Sequence, residues 1–546
     1  MSTTKKTSIF FAVATLLAVN VAAMNLPPMN PYLADSSWPK IHGGSDSDKI
    51  SRVVGPRGNS KLGRALRKGE MIFKAEGPFE VVPASYSGTY ADGHRVIWLG
   101  THQHVVKLDA DTLETLSTYS TRDGLYLDNE EIEGVIARID RLVKAGNRQA
   151  IYDEAAKTLV PALRDEQIGN SYDILNRQNE KLLFFKNRHT SKRYLQFYGD
   201  AVEGDSRAAI VLKREWEIPE IEGKTFVPFA ANMTFDGWLI VVSNTGAVLA
   251  LSNDFKEYRT LSLAPDNDAS TNSMQSFVRN GFSIDEQGGI YIATKNFLAR
   301  VQWTGKELSM DPVLGAWKVS YASGERGSGT TPALMGYGDN EDHLVMLSDG
   351  TDHDPHLMLY WRDRIPDDWP GIPGYDRRLA GISSIEFKKG EKAHARLENS
   401  PPIMGYGVFA APESPSPMPP KQDNVLKQFV AEALASSLTG SEAVGGTKWE
   451  WNPKTRKLDV AWMTPLKLAA SICTPSVNGF LYCIGRRDGN YTLEGLDWKT
   501  GRSDFHYTLG PSFTHFSYNN LVVAPNGAVD LLNWMGVSRM QPKHDN

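Results

Sequence analysis

The densest group of side chains that could do chemistry lies in one short polar stretch, Ser348–His356. It contains carboxylates and imidazoles in close succession, namely Asp349, Asp352, His353, Asp354 and His356. Carboxylates suit hard cations such as calcium, and imidazole combined with carboxylate suits zinc or iron. The stretch lacks the spaced Asp residues and terminal Glu of a helix-loop-helix calcium site. It is a candidate metal site, although Asp, Gly and Pro would also form a plain solvated turn.

A second pair of candidate ligands is His102 and His104, which follow the apolar run Arg95–Leu99. Alternate residues of a strand share a face, so both imidazoles could bind one ion. Packing of the two rings inside the protein explains the pair as well. If they faced the channel together with His353 or His356, these histidines could form a metal centre. A divalent cation is therefore the candidate cofactor.

The chain has two cysteines, Cys473 and Cys483, on either side of a hairpin signal at Asn478-Gly479. A three-residue loop, Val477–Gly479, would place Gly479 in the left-handed position and the cysteines opposite each other. That arrangement predicts a cross-strand disulfide. A two-residue loop would shift the register and leave two buried thiols.

The elements that must position these residues are short β-type runs that recur after turn glycines, such as Gly237, Gly289, Gly479 and Gly527. The spacing is roughly 50 residues with about four short strands per unit, which is typical of β-propeller blades. We therefore predict an all-β fold over residues 75–542, a β-propeller of about seven blades (six to eight), after an extended segment at 24–74. The last strands, 520–541, should share a blade with N-terminal strands and close the ring. Two tandem β-sandwiches are the alternative.

Two stretches interrupt the β pattern. Asp128 and Glu131 form a capping box at the start of an apolar helical stripe, which predicts a helical insertion over about 128–165. A Pro-rich loop and a short helix follow at about 412–438. Such stripes usually pack against the protein, but the insertions could also cover one mouth of the ring.

Two segments, Lys107–Thr112 and Gly495–Gly501, resemble the strand-to-turn motif of the quinoprotein alcohol dehydrogenase-like propellers, in which a strand ends in Leu-Asp before a turn. The stretches Gly327–Gly336 and Ile484–Trp498 resemble a group of exported bacterial propeller proteins of uncharacterised function. The resemblance implies a propeller fold. The quinone-dependent dehydrogenases carry adjacent cysteines over the cofactor and repeated tryptophan-docking motifs. Here the two cysteines are not adjacent and no repeated docking motif is evident, so pyrroloquinoline quinone is not expected.

Residues 1–23 have the features of a cleaved signal peptide. Lys5 and Lys6 give a positive start, Ile9–Val19 is apolar, and Val21–Ala23 offers small residues before Met24. The apolar run is shorter than the roughly 20 residues of a membrane span. We therefore predict an exported protein, periplasmic or secreted, with no membrane span after cleavage.

The composition and net charge limit the classes of binding partner that are expected. The 546 residues are 41% hydrophobic and 23% charged, which is ordinary for a globular protein, with a net charge of −5. Removal of Lys5 and Lys6 with the leader would make the charge more negative still. A mildly acidic chain without a basic block gives no footprint for nucleic acid.

The sequence leaves three functions open. One is an exported enzyme acting on a small organic molecule in the central channel with a bound metal ion. Another is a non-catalytic binding or assembly propeller for an envelope protein or a glycan, and a third is a quinone-dependent dehydrogenase. A filled channel would favour the binding propeller, whereas a deep polar pocket would favour an enzyme.

Overall fold

The computed structural model describes residues 25–58, 63–77, 84–101, 104–120, 128–164, 168–169, 172–187, 189–263, 277–393, 397–412, 419–435, 443–515, 520–533 and 535–543. Within these residues the strands form eight blades of four strands. The all-β propeller is confirmed, with a blade count at the upper end of the predicted range. The leader, 1–23, and His102 lie outside the described residues.

The first four blades follow one another along the chain, after β1 (Gly63–Ala65) and β2 (Met71–Ala75). Blade 1 contains β3 (Ala84–Tyr86), β4 (Val96–Gly100), β5 (His104–Asp109) and β6 (Thr115–Ser120). Blade 2 contains β7 (Ile168–Gly169), β8 (Lys181–Lys186), β9 (Arg193–Asp200) and β10 (Ile210–Glu217). Blade 3 contains β11 (Pro228–Met233), β12 (Leu239–Ser243), β13 (Ala247–Leu251) and β14 (Tyr258–Ser262). Blade 4 contains β15 (Ser283–Ile284), β16 (Gly289–Ala293), β17 (Phe297–Trp303) and an interrupted outer strand, β18 (Leu308–Ser309) and β19 (Trp317–Ser320).

The remaining blades include two that share a strand. Blade 5 contains β20 (Ala333–Met335), β21 (Leu344–Ser348), β22 (His356–Trp361) and β23 (Leu379–Ser384), followed by a small hairpin of β24 (Glu386–Lys388) and β25 (Glu391–Lys392). Blade 6 contains β26 (Ile403–Met404), β27 (Gly407–Ala410), β28 (Ala443–Asn452) and the first part of β29 (Lys457–Pro475). Blade 7 contains the rest of β29, β30 (Phe480–Arg487), β31 (Asn490–Asp497) and β32 (Ser503–Gly510). Blade 8 contains β33 (Asn520–Val523), β34 (Val529–Asn533), β35 (Gly536–Met540) and β2.

The long strand β29 joins blades 6 and 7 into one hydrogen-bonded sheet. It pairs with β28 as far as Leu468 and with β30 again from Cys473, with a register shift between. The same backbone therefore serves as the outer strand of one blade and the first strand of the next.

The ring closes because a strand from the N-terminal part of the chain pairs with the last strand. β2 lies antiparallel to β35, with Met71 opposite Met540 and Ala75 opposite Gly536, which confirms the predicted shared blade. Gly536 has a φ of 154°, and a Cβ there would lie 2.0 Å from the carbonyl oxygen of Lys74. Only glycine lets the two strands approach so closely. The pairing covers the edge of β35 that would otherwise stay open.

Blades stack through apolar side chains, and β4, β12, β16 and β21 are buried along their whole lengths because neighbours cover both faces. Tryptophan side chains also form hydrogen bonds between blades, which the sequence did not predict. The third strands of four successive blades end at or next to a tryptophan: Trp303, Trp361, Trp451 and Trp498. Two of these indoles donate to a carboxylate of the preceding blade, Trp303 to Asp236 at 2.9 Å and Trp451 to Asp342 at 2.9 Å.

Three helices gather on one side of the ring. They are α1 (Asn129–Lys144), α2 (Arg148–Arg164) and α3 (Val425–Ala435). The predicted capping box is present, because Glu131 N donates to Asp128 and Asp128 N donates to Glu131. Their buried side chains share one cluster with residues of the 513–515 turn and of blade 8.

Helices α1 and α2 connect the fourth strand of blade 1 to the first strand of blade 2, and α3 connects the second and third strands of blade 6. In antiparallel blades both kinds of connection emerge on the same side of the ring. We call this side the helix face. Among the described residues, no helix combines the length and apolarity needed to cross a lipid bilayer.

Candidate functional site

The central channel is occupied by the protein's own N-terminal segment. Residues 33–52, here called the plug, hydrogen-bond in turn to the first strands of several blades, or to residues beside them. Only a segment on the ring axis can reach so many blades at once. The carbonyl oxygen of Ser45 accepts from Ile284 N of blade 4 at 2.9 Å, and that of Asp46 accepts from Leu334 N of blade 5 at 3.0 Å.

The plug continues around the channel wall one blade at a time. Asp48 O accepts from Ile403 N of blade 6 at 2.8 Å, and Ser51 N donates to Pro475 O of blade 7 at 2.8 Å. Nearer the N-terminal end of the plug, Trp38 O accepts from Tyr86 N of blade 1 at 2.8 Å. Backbone groups of the first strands, which have no neighbouring strand on the axial side, find their partners in the plug.

The plug carries an unusual density of buried charge. Lys40, His42, Asp46, Asp48 and Lys49 are all at least nine-tenths buried. Lys40 Nζ donates to Ile41 O, Gly44 O and Ser47 Oγ at 3.0–3.2 Å. Burial lowers the pKa of Lys40 to about 8, against the attraction of the two carboxylates. Burial and the neighbouring Lys49 and Lys40 together hold the pKa of His42 well below its usual value, so its ring is neutral.

Asp46 and Asp48 form a carboxyl pair at the centre of this group. The two side chains hydrogen-bond to each other, the Tyr337 hydroxyl donates to Asp46 at 3.3 Å, and Ile50 N donates to Asp48 at 2.9 Å. Burial raises the pKa of both carboxyls, and the charge of Asp46 raises that of Asp48 further. Two close carboxyls in a buried site share one proton, which we assign to Asp48.

The backbone of the plug is strained. His42, Ser47 and Lys49 have φ values of 69°, 58° and 63°, in the left-handed region that residues other than glycine seldom adopt. Each such residue costs on the order of 1 kcal/mol, and such strain tends to cluster at functional sites. The surrounding blades must supply the contacts that hold this conformation.

The plug lines a small cavity. Its lining includes Asn30, Ser36, Asp46, Asp48 and Arg52, and its volume is about 30 Å³. This is room for about one water molecule. Pockets for small organic molecules are about 300 Å³ or larger. The axial cavity therefore suits a water molecule or a proton path, and it is too small for an organic substrate.

The candidate metal ligands around blade 5 have different partners in the structure. Asp349 is buried and accepts from His356 Nδ1 at 2.9 Å and from Thr351 Oγ1 at 2.8 Å. Asp354 forms an ion pair with Lys392, which lowers its pKa. Asp352 and His353 are exposed on the loop. The contacts of Asp349 and Asp354 are those of an ordered turn with a surface ion pair.

The described histidine of the expected pair, His104, lies in β5 of blade 1. His104 is 8% exposed, and burial lowers its pKa to about 4, so the ring is neutral at physiological pH. Its partner in the expected pair, His102, lies outside the described residues. Across the part of the chain that the structure describes, no three His, Cys, Asp or Glu side chains lie close enough together to hold a metal ion.

The two cysteines form a disulfide next to the plug. Cys473 and Cys483 are directly opposite in the β29–β30 ladder, with Cα atoms 4.4 Å apart. The loop has the three-residue form, because Ser476 N donates to Phe480 O and Gly479 has a φ of 83°. The hairpin tip holds the end of the plug, since Val477 N donates to Ser51 O at 3.0 Å. The cysteines lie in neighbouring strands, so they do not reproduce the adjacent pair of the quinone enzymes.

Replacement of Cys483 by alanine should lower the free energy of unfolding by about 2–3 kcal/mol, because a short closed loop no longer restrains the unfolded chain. Urea denaturation followed by tryptophan fluorescence measures the change. Wild-type protein in reductant should fall to the same stability, and the variant should not respond to reductant. Equal stability of the oxidised and reduced wild type would contradict a structural role for the bond.

The residues that matter most in the channel were not singled out in the sequence. Residues 33–52 have neither the alternation of a strand nor the spacing of a helix, and their partners lie in distant blades. The available signal was compositional. Lys40–Lys49 combines two Lys, two Asp and one His with two consecutive glycines, which is unlike the blade repeats.

The sheets and the filled channel define this chain as a β-propeller with an internal plug. No protein-family model matches it. It is 28% identical over 526 residues to an uncharacterised protein of Archaeoglobus fulgidus, covering 94% of this chain and 89% of that protein.

Solved structures with similar folds include propellers of several kinds. The quinohemoprotein alcohol dehydrogenase of Comamonas testosteroni matches 94% of this chain and 80% of its own, with 11% identity and a TM-score of 0.45. BamB of Moraxella catarrhalis matches 66% of this chain and 81% of its own, with 10% identity and a TM-score of 0.36. The C-terminal WD40 domain of Sif2 matches 88% of this chain and 98% of its own, with 7% identity and a TM-score of 0.44.

Proposed function

We propose that this protein is an exported, non-catalytic β-propeller that binds an envelope protein through its helix face. The observation that carries the proposal is the plug, because residues 33–52 fill the space in which a propeller enzyme would hold its substrate. The cavity lined by Asn30, Asp46 and Asp48, about 30 Å³, is too small for an organic substrate.

The helix face supplies the surface for such a partner. Helices α1 and α2 come from the connection between blades 1 and 2, and α3 comes from blade 6. The three pack on one another around Ile132, Val135, Tyr152 and Leu434. A packed cap of this kind presents the outer side of α1, where Glu133 and Lys144 are exposed. Rigid helices at the surface suit protein recognition because little conformational entropy is lost on binding.

Site-specific photo-crosslinking tests the proposal. A photoreactive amino acid replaces Glu133 or Lys144 on the helix face, and Lys256 on the opposite side, where it lies in the turn between β13 and β14 and is exposed. The variants are produced in cells that normally make the protein, and adducts are identified in the envelope fraction by mass spectrometry. We expect one discrete protein adduct from the two helix-face positions and none from Lys256.

Two results would overturn the proposal. One is equal labelling from both sides of the ring, which would indicate nonspecific contact. The other is turnover of a small molecule by the purified full-length protein with the plug in place. N-terminal sequencing of the same material tests the export component, since cleavage of the leader would leave Met24 as the first residue.

A further inference from the structure

The plug is built differently from the rest of the ring. It combines three left-handed residues, two buried lysines and a buried carboxyl pair, whereas the blades around it are mostly apolar. Buried charge and backbone strain both reduce the stability of the inserted state. The plug therefore has a smaller margin of stability than the blades that surround it.

The chain is anchored immediately after the plug. Asn478 Nδ2 donates to Gly55 O at 3.1 Å and the Tyr482 hydroxyl donates to Pro56 O at 2.8 Å, which fixes this point against blade 7. Ring closure depends on β2 and β35, which lie beyond this anchor. Residues 42–52 can thus leave the channel without opening the ring, because Trp38 stays packed between blades 1 and 8 while the chain hinges near the exposed Val54.

The contact between Asp46 and Asp48 is the part of the plug that depends on a proton. With one proton, the pair has a hydrogen bond and a single negative charge. Without it, two carboxylates would face each other in a buried site, where their repulsion is poorly screened. The backbone oxygens of both residues also bind the wall, at Leu334 and Ile403, so repulsion here acts directly on the plug's anchorage.

We propose that the plug contains a proton-operated gate: the proton shared by Asp46 and Asp48 holds residues 42–52 in the channel, and its loss releases them. The O–H bond of the protonated carboxyl breaks, and the proton leaves through the axial cavity that both carboxyls line. Release exposes the first strands of the blades, whose backbone groups can then bind another extended segment. This gate is independent of partner binding at the helix face.

Other titratable and charged groups face the carboxyl pair and influence the pH range over which it loses its proton. Within the plug, Lys40 and Arg52 act on the pair, and His42 and Lys49 lie near Lys40. Blade 5 contributes Tyr337 and, beyond it, Arg362, and blade 4 contributes Glu286. The cations favour the ionised pair and moderate the repulsion. Lys40 begins to lose its charge near pH 8, which would favour the closed plug at higher pH. The gate is therefore best examined below pH 8.

The direction of the pH effect follows from the raised pKa values. In the open plug the carboxyls titrate near their ordinary value, whereas in the closed plug Asp48 retains its proton to higher pH. The open state thus binds fewer protons through this pair between these values. His42, neutral in the closed plug, takes up a proton on opening below about pH 6.5 and opposes the effect there, so the net rise in opening is expected above pH 6.5. The equilibrium constant for opening rises up to tenfold for each pH unit in this window, for one proton released.

Hydrogen exchange measured by mass spectrometry tests the gate in the full-length protein. Peptides covering residues 45–51 are followed from pH 5 to pH 8, and the rates are corrected for the intrinsic pH dependence of exchange. We expect the opening constant to rise by about tenfold per pH unit over part of this range. Peptides of β21 should show no such rise, which separates plug release from unfolding of the ring.

Asp48→Asn supplies the decisive variant, because an amide keeps a hydrogen-bond donor toward Asp46 and has no proton to lose. We expect the rise in opening above pH 6.5 to disappear in this variant. Asp254→Asn, at an exposed carboxylate of blade 3, is the control and should behave as wild type. A pH-independent opening constant in the wild type, or an unchanged slope in Asp48→Asn, would overturn the proposal. If Asp48→Asn does not fold, the wild-type comparison of residues 45–51 with β21 decides it alone.

Discussion

Replacing Trp38 by alanine should lower the free energy of unfolding by about 3–5 kcal/mol, the range for removing a large aromatic side chain from a core. Trp38 belongs to the plug, is 1% exposed, and packs among residues of blades 1 and 8 such as Leu99, Val522 and Leu532. The plug would thereby lose its largest apolar anchor at the junction where the ring closes. Denaturant unfolding monitored by far-ultraviolet circular dichroism measures the loss.

Two matched variants separate the anchor from a general effect of mutating the segment. Trp38→Phe keeps most of the apolar area and removes an indole N–H that has no hydrogen-bond partner among the described residues, so it should change stability by less than about 1.5 kcal/mol. Met29→Ala, at a residue that is 44% exposed, should be nearly neutral. Wild-type stability in Trp38→Ala would mean that the plug does not contribute to the cooperative fold.

Much of the ring could be predicted from local pattern. The turn glycines Gly237, Gly289, Gly479 and Gly527 each lead into a buried strand, and the hairpin at Gly479 placed Cys473 opposite Cys483. Turn conformation and alternation are set within a few residues, so the sequence reports them directly. The blade count was harder, because blade 6 is divided between β27 and β28 by the Pro-rich loop and α3.

The plug could not be predicted in this way. Its hydrogen bonds join Asp46 to Leu334 and Asp48 to Ile403, across hundreds of residues, and use backbone groups that every residue type possesses. The predicted metal ligands show that residues close together in sequence can have different partners in the fold. Asp354 and His356 are only two residues apart in the sequence, yet their partners are Lys392 and Asp349, because the register of the blade decides which side chains meet.

Replacing Asp530 by alanine should cost about 3–5 kcal/mol, because it would leave a buried cation without its partner. Asp530 lies in β34 of blade 8 and accepts from Arg539 Nε at 2.7 Å and Nη2 at 2.6 Å, while the Tyr86 hydroxyl of blade 1 donates to it at 2.6 Å. Arg539 is 1% exposed. The carboxylate thus joins the last blade to the first at the closure of the ring, and thermal and urea unfolding should both register its loss.

A double replacement distinguishes the buried charge from the packing around it. In Asp530→Leu with Arg539→Met no charge is left uncompensated, so most of the stability should return, since apolar residues often replace a buried ion pair at little cost. Asp367→Ala, which breaks the exposed pair with Arg364, should change stability by less than about 1 kcal/mol. If Asp530→Ala were as mild as Asp367→Ala, the junction of blades 8 and 1 would depend on apolar contacts such as those of Trp38 alone. A large loss in both Trp38→Ala and Asp530→Ala would instead show that plug and ring are held at the same junction by independent contacts.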